Sequence, residues 1–329
     1  MQVGGQAVLE GVMMRAPGMV ATAVRRANGE IVVKKERHIS LAEKFPLFKL
    51  PVVRGALGLV EMMVIGMRTL NFSAEVAMQD VDSGKGNGHL LTTDPAETKA
   101  IRRKDSLKLG LTVTFSLVLG VAIFFVTPLL IATVLFNVDQ QPLTFNLLAG
   151  VVRITLLLVY LLAISMLKDI KRLFQYHGAE HKAVFAFEKG EGLTVEAASR
   201  QSRFHPRCGT SFLLIVMIVS IFLFSVLDAL IIGWLGQLTL TTRLLTHLPL
   251  IPLVGGFSYE VIKASAKRSE TFIGKIVVAP GLWLQKITTK EPDESMLEVA
   301  ILALRAALGQ DDESQRISDS LALQGVSEN

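Results

Sequence analysis

The chain has 329 residues, half of them apolar, and its mean hydropathy of +0.47 is too high for an ordinary soluble domain. The net charge is +5, but lysine and arginine cluster beside apolar segments, which indicates a membrane protein facing anionic lipid and argues against nucleic-acid binding. The single cysteine excludes an intrachain disulfide and favours a reducing compartment.

Residues 1–50 are predicted to form a small β-rich unit. Two β-prone runs, 20–24 and 31–33, flank an Asn-Gly pair at 28–29. This pair is a strong hairpin signal because both turn residues accept positive φ. Residues 4–11 are a candidate for another strand. The first residues lack a basic region followed by an apolar run, so we expect no cleavable signal peptide.

Residues 51–79 are apolar but interrupted by the charged side chains of Arg54, Glu61 and Arg68. This pattern predicts an amphipathic helix that is interfacial or re-entrant, with a full crossing of the membrane as the alternative. Residues 80–100 are polar and contain three glycines, which predicts a flexible linker.

Residues 101–270 are predicted to form the membrane core. Four apolar segments in it are each long enough to cross about 30 Å of hydrocarbon. They cover about 107–136, 143–167, 211–236 and 247–266. The fourth is the weakest, because Pro249 and Pro252 favour a broken helix, which membranes tolerate where neighbours or a cavity satisfy the backbone.

The C-terminal part is predicted to leave the membrane core. Residues 271–309 indicate an interfacial segment followed by an amphipathic helix, and residues 310–329 a disordered tail. The chain as a whole is therefore predicted to be a mainly α, polytopic membrane protein. It has about four transmembrane helices and a small N-terminal β-rich cytoplasmic unit.

Basic residues predict the orientation in the membrane. They lie beside only one end of each span: Arg102, Arg103, Lys104, Lys168, Lys171, Arg172, Arg207, Lys263, Lys267 and Arg268. The connection 137–142 has no basic residue, and the other outer loop has only Arg243. Both termini and the segment 168–210 are thus predicted to be cytoplasmic.

Three of the six histidines and the only cysteine lie in the cytoplasmic segment between spans two and three. His177 and His181 are four residues apart, so on a helix they lie on one face. The order His-x-x-Glu-His resembles a reversed zinc-protease arrangement, in which Glu180 would polarise water. Glu188 falls on the same helical stripe. It is a candidate to hydrogen-bond to a metal ligand or to relay a proton.

His205 and Cys208 are candidates to complete the site. His205 precedes a proline and is therefore predicted to be extended. Cys208 stands at the N-terminus of span three, which favours a thiolate. This donor set suits Zn²⁺ best, with iron and manganese as alternatives. The bland alternative is a polar helix face that contacts lipid headgroups, with the cysteine as a small buried residue.

Three charged residues within the spans are further candidates. Arg153 and Asp228 have similar predicted depths, which predicts an intramembrane ion pair with a mainly structural role. Glu260 lies near the cytoplasmic end of span four. It is either a ligand or proton carrier for the histidine cluster, or a buried glutamate paired with a lysine or arginine.

Four sequence blocks resemble the hallmark blocks of the bacterial YqhQ family, and they occur in the family's order. The blocks are 4–15, 176–182, 205–212 and 280–285. The resemblance implies a multipass protein of the bacterial cytoplasmic (inner) membrane. The family is a domain of unknown function that is described as a predicted metal-dependent enzyme, so the resemblance favours a metal site but names no substrate.

The leading hypothesis from the sequence is an integral membrane protein with a Zn²⁺-type site at the cytoplasmic membrane boundary. If the protein is an enzyme, the simplest chemistry is metal-dependent hydrolysis of a lipid-like or membrane-peptide substrate. One alternative is a non-catalytic assembly or scaffold protein with a structural metal or polar cluster, and a weaker one is a transporter. The expected partners are the lipid bilayer and, in the scaffold case, membrane or cytoplasmic proteins. No nucleic acid is expected, and a homo-oligomer is left open.

Overall fold

The computed structural model of the protein describes residues 3–41, 48, 50–84, 110–136, 138–266 and 271–310. The predicted fold class is confirmed, because the chain is mainly helical with a small N-terminal antiparallel sheet. Three predicted features lie wholly or largely outside the described residues. They are the linker at 80–100, the basic cluster at 102–104 and the tail at 310–329.

The chain divides into two compact units. The first comprises residues 1–84, 161–212 and 255–329, and the second comprises residues 85–160 and 213–254. The sheet and the histidine-rich segment therefore belong to the first unit.

The N-terminal sheet has four antiparallel strands in the order β1-β2-β3-β4. The strands are β1 (Gly4–Val8), β2 (Gly11–Ala16), β3 (Gly18–Arg25) and β4 (Ile31–His38). The predicted Asn-Gly hairpin connects β3 to β4, and Gly29 has the positive φ of +90° that the turn requires.

One face of the sheet is covered by α1 (Val53–Gly84). Ile65 of this helix packs with Met13 and Val20, and Val76 packs with Val8 and Val24. Away from the sheet, α1 exposes several apolar side chains, among them Val60, Met63 and Met67. The helix extends five residues into the predicted linker, because no glycine or proline interrupts the sequence from residue 67 to residue 83.

The largest core of the first unit lies between the sheet and two helices, α4 (Lys168–Lys189) and α9 (Glu294–Leu308). Alanines at the helix contacts allow close packing. They are Ala179, Ala183, Ala186, Ala300, Ala303 and Ala307. Gly190 ends α4 in the left-handed region, with φ of +70°. The same unit contains α5 (Val195–Ser199) and α8 (Phe272–Thr288).

In the part of the chain that the structure describes, four helices are long and apolar enough to cross a membrane. They are α2 (Gly110–Phe136), α3 (Pro142–Ser165), α6 (Gly209–Leu235) and α7 (Leu240–Ala266). The fourth begins seven residues before the predicted start at 247 and continues through both prolines. Because polar Thr239 and Thr242 precede the apolar run, hydropathy alone placed this start too late.

The predicted pair of Arg153 with Asp228 is wrong. The carboxylate of Asp228 accepts bonds from Arg243 Nε at 3.0 Å, His247 Nε2 at 2.7 Å and Asn146 Nδ2 at 2.8 Å. All of these contacts lie within the second unit. The counter-charge of this fully buried carboxylate is Arg243 of α7. The predicted start of span four at residue 247 had placed Arg243 in the outer loop.

Candidate metal centre

The helix α4 places His177 and His181 on one face, with 4.5 Å between their ring centroids. Cys208 is the last residue before α6, and its Sγ lies 3.2 Å from Nε2 of His177. One ligand atom from each of these three residues lies within 4.8 Å of the other two. The structure therefore brings together three of the four predicted metal ligands.

A backbone carbonyl fixes the orientation of each of these histidines. Nδ1 of His177 lies 2.9 Å from the carbonyl oxygen of Thr288, and Nδ1 of His181 lies 2.5 Å from that of Arg203. Because a carbonyl oxygen can only accept a hydrogen bond, Nδ1 carries the proton in both rings. In the neutral rings Nε2 is left with its lone pair, which is the arrangement of metal-binding histidines.

The electrostatics of the cluster favour a thiolate. Burial raises the pKa of Cys208, but the nearby rings of His177 and His181 outweigh it and hold the pKa well below its ordinary value. Burial lowers the pKa of His177, but the thiolate and Glu180 raise it to about 9. Both pKa shifts favour an imidazolium–thiolate pair between His177 and Cys208 at neutral pH.

Glu180 lies beside this pair and is only 7% exposed. Its Oε2 is 4.0 Å from Nε2 of His177. Strand β1 passes so close to the side chain of Glu180 that a Cβ on Gly5 would stand 2.9 Å from its Cγ. The side chain of Glu180 is therefore confined beside His177.

His205 does not join the ligand group. Its Nδ1 accepts a bond from the backbone N–H of Arg207 at 3.2 Å, and its Nε2 lies 3.3 Å from Oε2 of Glu188. Burial and the neighbouring His181 lower the pKa of His205 to about 4, so the ring is neutral. Both ring nitrogens are used in these bonds. Glu188 also pairs with Arg207.

Gln285 of α8 supports the segment before Cys208, and the sequence had given it no role. Its Oε1 accepts from the backbone N–H of His205 at 2.8 Å, and its Nε2 donates to the carbonyl of His205 at 2.8 Å. Nε2 also lies 2.9 Å from Oγ of Ser211. The sequence signal for this role is a single amide side chain in an otherwise apolar stretch. In the structure this amide is fully buried, where it needs hydrogen-bond partners.

Glu260 is not part of the cluster. Its carboxylate accepts two bonds from the guanidinium of Arg54, at 2.7 Å from Nε and 2.5 Å from Nη2. Of the two alternatives that the sequence left open, the paired glutamate is the one found.

Comparisons with known proteins place the chain in a family. Residues 50–310 match a family model described as "Protein of unknown function (DUF1385)". The chain is 34% identical over 311 residues to "Uncharacterized protein YqhQ" of Bacillus subtilis (strain 168), covering 91% of this chain and 89% of that protein. No solved structure matches the chain. The chain therefore belongs to the DUF1385 family, which includes YqhQ, and it carries helices long and apolar enough to span a membrane.

Proposed function

We propose that His177, His181 and Cys208 hold a Zn²⁺ ion and that the protein is a metal-dependent hydrolase. The observation that carries the proposal is the pair of Nδ1–carbonyl contacts, which leave two Nε2 atoms as ligands beside a thiolate. Two imidazoles and one thiolate match zinc in charge and softness. Iron and manganese are the alternatives that metal analysis distinguishes.

Three protein ligands leave one position of a tetrahedral site for water or substrate, which is typical of catalytic zinc. A bound zinc ion supplies a Lewis acid that lowers the pKa of water. In this proposal the carboxylate of Glu180 takes the proton from water, since it lies 4.0 Å from the ligand nitrogen of His177. The buried surroundings restrict competing solvent.

The substrate is proposed to be a lipid-like molecule or a membrane peptide. Cys208 directly precedes the apolar helix α6, and Thr288, whose carbonyl holds His177, ends α8. The same helix α8 exposes Phe272, Ile276 and Trp283. Exposed aromatic and aliphatic groups beside a spanning segment fit a membrane interface. We place this interface on the cytoplasmic side of the bacterial inner membrane, following the basic residues.

Metal content per chain tests the site. Purified protein, handled without chelators, should contain about one zinc per chain, the stoichiometry of one such ligand set. His177→Ala combined with His181→Ala should lose it, whereas His247→Ala, which changes a histidine of the second unit, should keep it. Wild-type protein without stoichiometric metal would refute the proposal.

Hydrolysis tests the role of Glu180. A fluorogenic oleoyl ester in mixed micelles serves as a lipid-like probe, and an acylated peptide as a membrane-peptide probe. Glu180→Gln should keep zinc and the circular dichroism spectrum but lose the rate of hydrolysis by about a hundredfold or more, as expected for a general base. Glu191→Gln, an exposed change in the same unit, is the matched control.

A non-catalytic scaffold is the second candidate, and the burial of Cys208 at 6% exposure favours it. In that case the metal would join α4 to the start of α6 and would contribute only to folding. Cys208→Ser would then lower stability, whereas Glu180→Gln would change neither stability nor any rate. The weaker transporter alternative loses its support from Glu260, since that carboxylate is paired with Arg54.

A further inference from the structure

Arg153 lies in the middle of a membrane-spanning helix. It is the twelfth residue of the 24-residue helix α3, about 17 Å from the helix start at 1.5 Å per residue. Its side chain is more than nine-tenths buried in the second unit. A charged group at this depth is costly, so such residues usually pair or serve a function.

Arg153 has no carboxylate partner among the described residues. Asp139 and Asp228 are the acidic residues in the described part of the second unit, and both bind Arg243. The guanidinium instead donates from Nε to the carbonyl of Phe124 at 3.0 Å and from Nη1 to Oγ of Ser220 at 3.1 Å. Both partners are neutral, so the positive charge is hydrogen-bonded but not neutralised.

The carbonyl that binds Arg153 is made available by a proline. Pro128 lies four residues after Phe124 and lacks the N–H that would bond this carbonyl in an α-helix. Residues Ala122–Val126 form a π-helical turn there, a distortion that is frequent at functional sites. Phe124 and Ser220 lie near the middle of α2 and α6, so three helices form the site at one depth.

The arrangement leaves one end of the guanidinium uncommitted. Nη2 of Arg153 makes no hydrogen bond with any described residue, whereas Nε and Nη1 are held by neutral acceptors. A fixed guanidinium with free N–H groups suits an anionic oxygen group such as a carboxylate or a phosphate. Transporters place substrate sites near the membrane midplane at interrupted helices, which is the position found here.

We propose that Arg153 anchors an anion-binding site halfway across the membrane, which takes the carboxylate or phosphate of a membrane-soluble amphiphile. Ser220 and the carbonyl of Phe124 orient the guanidinium, and Pro128 keeps that carbonyl free. The site lies in the second unit and does not involve the histidine–cysteine cluster.

Electron spin resonance of the full-length chain in phosphatidylcholine vesicles tests the proposal. The measured quantity is the association of spin-labelled stearate compared with its methyl ester, and of spin-labelled phosphatidic acid compared with phosphatidylcholine. At least one anion should be preferred by about tenfold, the factor that a charge-assisted hydrogen bond contributes. The two pairs of probes distinguish a carboxylate ligand from a phosphate ligand.

Three variants locate the preference. Arg153→Gln should abolish it, whereas Arg68→Gln, which removes an exposed arginine on α1, should not. Pro128→Ala restores a competing N–H and should weaken the preference without changing charge. If Arg153→Gln does not fold by circular dichroism, Pro128→Ala decides. An anion preference that is absent in the wild type, or that survives in the folded variants, overturns the proposal.

Discussion

Gln285 holds the backbone of His205 from both sides, because its side-chain amide accepts from the N–H and donates to the carbonyl of that residue. The two bonds fix the short segment that ends at Cys208. The position of Cys208 therefore depends on a glutamine that lies more than 70 residues further along the chain.

Replacing this glutamine should weaken both the fold and the proposed metal site. Gln285→Ala leaves the N–H and carbonyl of His205 buried without partners, which we expect to cost about 3 kcal/mol. The measurements are thermal unfolding in detergent and zinc content. Gln175→Ala removes one exposed bond to the carbonyl of Glu291 and is the control. Equal unfolding temperatures for the two variants would contradict this role of Gln285.

Zinc affinity should rise with pH up to about 9. In the metal-free protein the proton on Nε2 of His177 must leave before that nitrogen can bind a metal, and the pKa of His177 is raised to about 9. The thiol contributes no further proton near neutrality, since its pKa is well below its ordinary value. Competition titrations should show about a tenfold gain per pH unit between neutrality and that pKa. An affinity that is flat over this range would show that His177 enters the site already neutral.

Adjacent glycines in β1 provide a matched pair for testing how the sheet meets Glu180. A Cβ on Gly5 would stand 2.5 Å from the carbonyl oxygen of Met13 and 2.9 Å from Cγ of Glu180. A Cβ on Gly4 would meet nothing within 4 Å. Gly5→Ala should therefore lose about 1–3 kcal/mol of unfolding free energy, and Gly4→Ala close to none. Similar losses in both, measured by thermal unfolding, would mean that the close contacts at Gly5 are not the cause.

The sequence predicted the elements of this fold better than their contacts. Apolar run lengths predicted the four spans, although not the start of the fourth, and the Asn-Gly pair predicted the hairpin. Spacing also predicted that His177 and His181 share one face, because four residues make about one turn of a helix. Cys208 was predicted to join them from its residue type and its place between two spans. Spacing could not show which way a loop histidine points. The sequence therefore predicts His205 as a ligand, whereas in the structure Glu188 and the N–H of Arg207 contact its two ring nitrogens.

The intramembrane pairing failed for a different reason. Counting residues from helix ends gives depth along an axis but not the neighbour across it, so Arg153 and Asp228 looked like partners. Arg243 was excluded because the fourth span was predicted to start at 247, beyond it. The cation that pairs with a buried carboxylate is the one that helix packing places beside it. For Asp228 this cation is Arg243, which lies one turn before His247 on α7.

Two carboxylates that bind the same arginine allow the cost of burial to be measured. Asp228 is fully buried and also bonds His247 and Asn146, whereas the side chain of Asp139 is 26% exposed. Asp228→Asn leaves the guanidinium of Arg243 without its buried counter-charge, and we expect a loss of about 3–5 kcal/mol. For Asp139→Asn we expect about 1 kcal/mol or less, because solvent already screens that pair. Unfolding in detergent by increasing dodecyl sulfate measures both. A larger loss for Asp139→Asn would show that Asp139, in the connection between α2 and α3, stabilises Arg243 more than Asp228 of α6 does.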